Sequence, residues 1–204
     1  SMMYGRNYEL ALHAACRYPD RLRTVIILPW TDITDKELQI LSDAGVVGAR
    51  ISWMTEKEIN KRLLERLNEL GWSTHYLIPM VELDEFWEDL ILNSVGNFVL
   101  EHNGYPPVEK GINSNEFEFV MKCLDTGRCW VKLSPRFSAQ ETFPFDDTYP
   151  FVERLVDEAP NRLLWGSDWP HPQYFKPMPN DVSLLDMMLD WVSNESVRNM
   201  IFVN

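Results

Sequence analysis

The run Arg162-Leu-Leu-Trp-Gly-Ser-Asp-Trp-Pro-His-Pro172 sets a carboxylate, Asp168, directly behind a short apolar segment that stops at Gly166. An acid at the C-terminal end of a buried parallel strand is where α/β enzymes place catalytic groups. A carboxylate held there suits proton transfer when partial burial brings its pKa towards neutrality. The competing use of a Ser-Asp pair is to cap the loop or helix that follows. Other polar side chains close apolar runs in the same way. Arg50 follows Val46-Val-Gly-Ala, His102 and Glu101 follow Asn97-Phe-Val-Leu, and Lys132 and Ser134 lie in Trp130-Val-Lys-Leu-Ser. Arg136 comes just after, and His171 is boxed between Pro170 and Pro172.

Positioning these groups requires strands that end together. The pattern predicts strands over 24–28, 46–52, 75–81, 97–100, 129–134 and 163–165. Helices are predicted over 9–18, 34–44, 55–70, 85–95, 114–124, 150–158 and 182–192, with another from 196. Thr34 and Glu37 form a capping-box pattern. Ile59, Leu63, Leu64, Leu67 and Leu70 recur at helical spacing between a Thr55 cap and Gly71. Pro79 is awkward inside a central strand, and His75, at the start of its strand, reads as lying at the wrong end for chemistry. Strands separated by helices imply βαβ units and a parallel sheet. No Ser/Gly-rich linker interrupts residues 1–204, so one domain is expected. Neither G-x-G-x-x-G nor a P-loop is present. Six βα units fit an open doubly wound sheet or most of a (β/α)8 barrel. The barrel is preferred because it brings every polar strand end to one mouth.

The 204 residues carry 19 Lys and Arg against 31 Asp and Glu, a net charge of −12. That excludes nucleic acid and anionic membrane as main partners, while a local arginine cluster can still bind a small anion. Cys16, Cys123 and Cys129 have no C-x-x-C or finger spacing and read as the reduced thiols of a cytoplasmic protein. No run approaches the roughly 18 apolar residues of a membrane span, and no signal-peptide pattern opens the chain.

Four segments in series resemble the amidohydrolase-2 branch of the amidohydrolase superfamily, and within it the 2-pyrone-4,6-dicarboxylate lactonase-like TIM-barrel hydrolases. Leu164-Trp-Gly-Ser-Asp-Trp-Pro-His-Pro172 is similar to the last-strand motif. Asp43-Ala-Gly-Val-Val-Gly-Ala-Arg50 resembles D-A-G-V-x-G-x-R, Val99-Leu-Glu-His-Asn-Gly104 resembles a strand ending in D-H-x-G, and Trp130-Val-Lys-Leu-Ser134 with Arg136 resembles W-V-K-L-S followed by Arg. The resemblance implies a hydrolase that opens a cyclic ester or related small carboxylate. Asp168 would take the proton of the attacking water and His102 would polarise the carbonyl. Arg50 and Arg136 would hold substrate carboxylates, since a guanidinium binds a carboxylate through two parallel bonds. His171 would line the mouth. Trp165 and Trp169 would exclude water, and loops 105–107 and 143–149 would form a lid.

One departure bears on metal. The family's first strand carries H-x-H, and none of His13, His75, His102 and His171 forms that pair. Metal-dependent members place a ligand where this chain has Ile78-Pro-Met80. His102 and Asp168 alone are too few for zinc, which takes three protein ligands, so no metal or other cofactor is assigned. An upstream strand bearing H-x-H would restore zinc and, with it, a zinc-dependent amidohydrolase or decarboxylase reading. A barrel usually needs about 250 residues, so the first strands and the C-terminal tail are expected to be missing here. If 204 residues were the whole chain, a homodimer would be expected to cover the sheet edges. An inactive relative with a binding role is the third reading.

Overall fold

The computed structural model describes residues 5–30, 32–54, 59–172 and 176–203. Helices and strands alternate as α1 Glu9–Arg17, β1 Thr24–Ile26, α2 Asp35–Asp43, β2 Val46–Ser52, α3 Lys61–Glu69, β3 Ser73–Leu77, α4 Glu85–Leu92 and β4 Phe98–Leu100. They continue as α5 Asn115–Asp125, β5 Cys129–Leu133, α6 Tyr149–Glu158, β6 Leu163–Trp165, α7 Asp181–Trp191 and α8 Glu195–Val203. The six strands form one sheet in chain order, β1 through β6. A doubly wound sheet reverses its order at a switch point. An order that never reverses is that of a barrel, here with six βα units.

Side chains fix the helix starts. Thr34 and Glu37 make the reciprocal capping box, with Thr34 Oγ1 accepting from Glu37 N at 3.3 Å and Thr34 N donating to Glu37 Oε2 at 2.8 Å. Ser114 caps α5 and Asn180 caps α7 through the backbone N–H groups of the first turn. The expected Thr55 cap lies outside the described residues. Helix α3 starts only at Lys61, because Asn60 Oδ1 accepts from Arg62 N at 3.0 Å and holds Asn60 itself extended.

Strand β3 departs from the expected 75–81. It begins two residues earlier because Ser73 pairs with Gly48 of β2, and it ends at Leu77 because Pro79 turns the chain into the 3₁₀ turn Met80–Glu82. His75 is therefore central in the strand, buried, with Nε2 3.1 Å from Ser73 Oγ.

The chain groups into two compact units, Ser1–Leu77 with Asn93–Val99, and Ile78–Leu92 with Leu100–Asn204. In the first, β1 and β3 flank β2 in parallel, and Ala49, Ile51, Leu67, Tyr76 and Phe98 fill the core. Gly48 permits this spacing, since a Cβ there would lie 2.8 Å from the Ser73 carbonyl oxygen. In the second, β5 and β6 pair in parallel and Phe151 stacks edge-on against Phe117 and Phe137. Phe145 is fully buried with Leu184 and Met187, so the expected lid over 143–149 is anchored in the core. Pro106 and Pro107 of the other expected lid loop are buried as well. Among the described residues no helix is long and apolar enough to cross a membrane.

The thiols separate by burial. Cys16 is exposed, whereas burial pushes the Cys123 thiol up to about 12 and raises that of Cys129 well above its ordinary value. A thiolate is the reactive form. In the folded protein a thiol reagent at pH 8 should label Cys16 promptly and the other two only after denaturation. Mass spectrometry of a timed labelling course checks this.

Candidate active site

All the polar strand ends of the second unit converge on one cluster. Helix-forming residues stop at Gly127, β5 carries Lys132 inward, and Ser134 follows at its end. Ser134 Oγ lies 2.7 Å from His102 Nδ1, and Ser134 N donates to Asn103 Oδ1 at 2.8 Å. His102 thus leaves β4 with one ring nitrogen fixed by a hydroxyl and its neighbour fixed by a backbone N–H. Its Nε2 lies 3.9 Å from Asp168 Oδ1. The other carboxylate oxygen, Oδ2, accepts from Arg136 Nη1 at 2.7 Å. Arg136 Nη2 in turn donates to the carbonyl of Pro172 at 2.5 Å. Partial burial opposes the Arg136 charge, but Asp168, and after it Tyr105, outweigh this and raise the guanidinium pKa.

The backbone is held out of its ordinary range at these same residues. His102, Asn103 and Tyr105 have φ of 51°, 59° and 51°, and Asp168 and His171 have 66° and 52°. Non-glycine residues seldom occupy this left-handed region, and where they do the strain tends to sit at functional sites. Five of the six such residues among those described belong to this cluster, Phe145 being the sixth.

Below the cluster, Lys132 Nζ binds Glu101 at 3.1 Å and 3.0 Å, one distance to each carboxylate oxygen. Glu101 is buried and is the salt-bridge partner of that lysine. Gly166 lets the lysine stem pass, since a Cβ there would come within 3.0 Å of Lys132 Cδ.

The expected site residues sort clearly. Asp168, His102 and Arg136 come together. His171 joins the turn through its N–H, which donates to the Asp168 carbonyl at 2.6 Å, while its ring faces Asp181, Nε2 to Oδ1 being 3.3 Å. Arg50 belongs to the first unit, in β2, in register with His75. Trp165 packs against Phe202 and the Phe145 cluster, whereas Trp169 is 73% exposed and gives Asp168 little cover.

The parts played by Ser134 and Asn103 emerge only from the structure. A serine ending a strand is usually just polar, and nothing in one sequence says which ring nitrogen it meets. Asn103 carried a readable signal, since Asn tolerates the left-handed region. Among the described residues its Nδ2 is buried without a hydrogen-bond partner.

Among the described residues no three His, Cys, Asp or Glu side chains gather as a metal cage. The donors that do meet, His102 and Asp168, number two, and the carboxylate is already paired with a guanidinium. That set does not fit zinc, and no step below runs through a metal.

The sequence model of the amidohydrolase family matches residues 2–204, through both units. A 2-pyrone-4,6-dicarboxylate hydrolase of Comamonas testosteroni is 35% identical over 172 residues, covering 76% of this chain and 56% of that protein. The chain therefore spans little more than half the length of that relative. A 4-sulfomuconolactone hydrolase of Rhizobium radiobacter is 31% identical over 212 residues, covering 99% of this chain and 70% of that one. Among solved structures, a probable 2-pyrone-4,6-dicarboxylic acid hydrolase from Acinetobacter baumannii, with citric acid bound, superposes with a TM-score of 0.80 at 22% identity. It covers 98% of this chain and 76% of that one, a likeness of fold. With the sequence model running through all six strands, the chain belongs to the amidohydrolase family, the one its strand-end motifs resemble.

Proposed function

We propose that the protein hydrolyses a small carboxylated lactone, with Asp168 as the base that activates water. The observation that carries this reading is the Asp168 carboxylate itself. It stands at the end of β6 in a left-handed backbone, 3.9 Å from His102 Nε2 and 2.7 Å from Arg136. Water attacks the ring carbonyl carbon and gives its proton to Asp168. The carbonyl oxygen gathers negative charge, which a His102 N–H stabilises in a partly dehydrated site. Collapse breaks the ring C–O bond, and the leaving oxygen recovers the proton. The product is the open-chain hydroxy (or enol) acid. Arg136 answers a negative group of the substrate. The two curated relatives support the substrate class, since both names describe hydrolases of anionic cyclic esters.

The test is turnover on a panel of lactones with and without ring carboxylates. Hydrolysis of the carboxylated members is the expected result. No turnover, with the same compounds still raising the melting temperature, would make the protein a binding relative instead.

Ser134 is a positioning residue in this scheme, acting through the His102 ring. Ser134→Ala should lower kcat by about tenfold, a fraction of the 10²–10⁴ that acid–base groups usually contribute, with KM little changed. Because the hydroxyl hydrogen-bonds one nitrogen of the His102 ring, its loss should also shift the pH–rate profile. A lowered melting temperature with an unmoved profile would reduce Ser134 to a packing role.

A further inference from the structure

Arg136 is engaged in a way that suits a latch better than a waiting clamp. It stands in the 3₁₀ turn Pro135–Phe137 beyond β5, while Asp168 follows β6, so the ion pair ties two separate strand ends. Both side chains are mostly buried, at 13% and 16% exposure. The contact joins one nitrogen to one oxygen, and the second Nη is spent on a neutral carbonyl, that of Pro172. A guanidinium makes its strongest pair with a carboxylate through two parallel N–H···O bonds. The resting arrangement falls short of that.

We propose that Arg136 holds Asp168 in the free protein and that a carboxylate on the incoming substrate takes the guanidinium over, freeing the base as the substrate arrives. This deepens the lactone reading and rests on it for the anionic substrate. A carboxylate oxygen already accepting a charged N–H has one of its two acceptor sites filled and is a weaker acceptor at the other. Drawing Arg136 away opens Oδ2 to a water, while Oδ1 keeps its place near His102. No covalent bond changes in the exchange. A single-atom pair and a carbonyl contact give way to one bidentate pair. The device makes hydrolysis conditional on the substrate's charge, and a neutral lactone would meet a base still engaged.

The exchange is measurable without turnover, using citrate as the carboxylate probe and calorimetry on the whole chain. Asp168→Asn weakens the competitor for Arg136, so citrate should bind about tenfold more tightly than to the unaltered protein. In an Arg136→Met background the same Asp168→Asn change should alter citrate affinity by less than about twofold, because the two residues act as one unit. General loss of a negative charge would instead tighten binding equally in both backgrounds and overturn the proposal. So would weaker binding by Asp168→Asn, or no binding by either protein. Circular dichroism on all four proteins confirms folding, and a variant that fails it is replaced by Arg136→Gln. Tighter binding in a protein that hydrolyses no lactone would leave the latch standing and remove the reaction assigned to it.

Discussion

Asp168→Asn should lower kcat for a carboxylated lactone by about 10²- to 10⁴-fold, the range that a positioned acid–base group contributes. The substitution keeps the shape and a carbonyl oxygen for Arg136 Nη1, which donates to Asp168 Oδ2 in the intact site. It removes the acceptor proposed for the water proton. KM should stay level or fall, because the asparagine competes less well for the guanidinium than the carboxylate did. A loss of kcat without a rise in KM marks an interaction made in the transition state. Stability should fall by about 1–3 kcal/mol, since Arg136 exchanges a charged acceptor for a neutral one in a mostly buried pair. Steady-state kinetics with a matched melting curve decides. Activity within about threefold of the unaltered protein, well below what acid–base groups contribute, would remove Asp168 from the chemistry.

The second large effect is on the fold. A Cβ on Gly104 would sit 2.4 Å from Val120 Cγ2, with Cγ1 at 3.5 Å and Cβ at 3.6 Å. Val120 is fully buried in α5, and a branched side chain on a helix has one strongly preferred rotamer. It cannot swing aside, so the loop or the helix must move. Overpacking of this kind costs about 1–3 kcal/mol. The φ of +79° adds about 1 kcal/mol for any residue bearing a Cβ. Together Gly104→Ala should cost about 3 kcal/mol and lower the melting temperature by roughly 8 °C. Activity should fall as well, because the displaced loop carries His102 and Asn103. Gly127→Ala is the internal control. Its φ is +72°, yet nothing lies within 4 Å of the added Cβ. Only the backbone term applies there, about 1 kcal/mol. Equal losses at both positions would show that Val120 packs more loosely than its distances indicate.

Much of this arrangement was legible in one sequence. The alternation of β-branched runs with capped amphipathic helices led to a barrel, and strands β2 and β6 match their expected bounds residue for residue. Asp168 and His102 stood out as candidates because each follows a short apolar run, and the fold brings their side chains within 3.9 Å of each other. What could not be read was partnership. Arg136 looked like a clamp because a guanidinium suits substrate carboxylates, and sequence gave no sign that Asp168 would be its nearest anion. Ser134 looked incidental because the ring nitrogen it meets lies 32 positions away. Strand β3 was misplaced because its apolar pattern runs on through Ile78, while the ladder is set by Ser73 facing Gly48. Local pattern reports where a side chain can be buried. Register and pairing depend on a second segment that the pattern does not contain.

The left-handed backbone at His102, Asn103, Tyr105, Asp168 and His171 has a consequence for how such a protein changes over generations. Glycine adopts this conformation without the steric cost that a Cβ brings. At these five positions, then, a change to glycine can relieve the chain, so under the proposed reaction selection for heat resistance and selection for activity would pull in opposite directions. A heat-tolerant descendant released from the reaction should lose its side chains here before it loses those of the core.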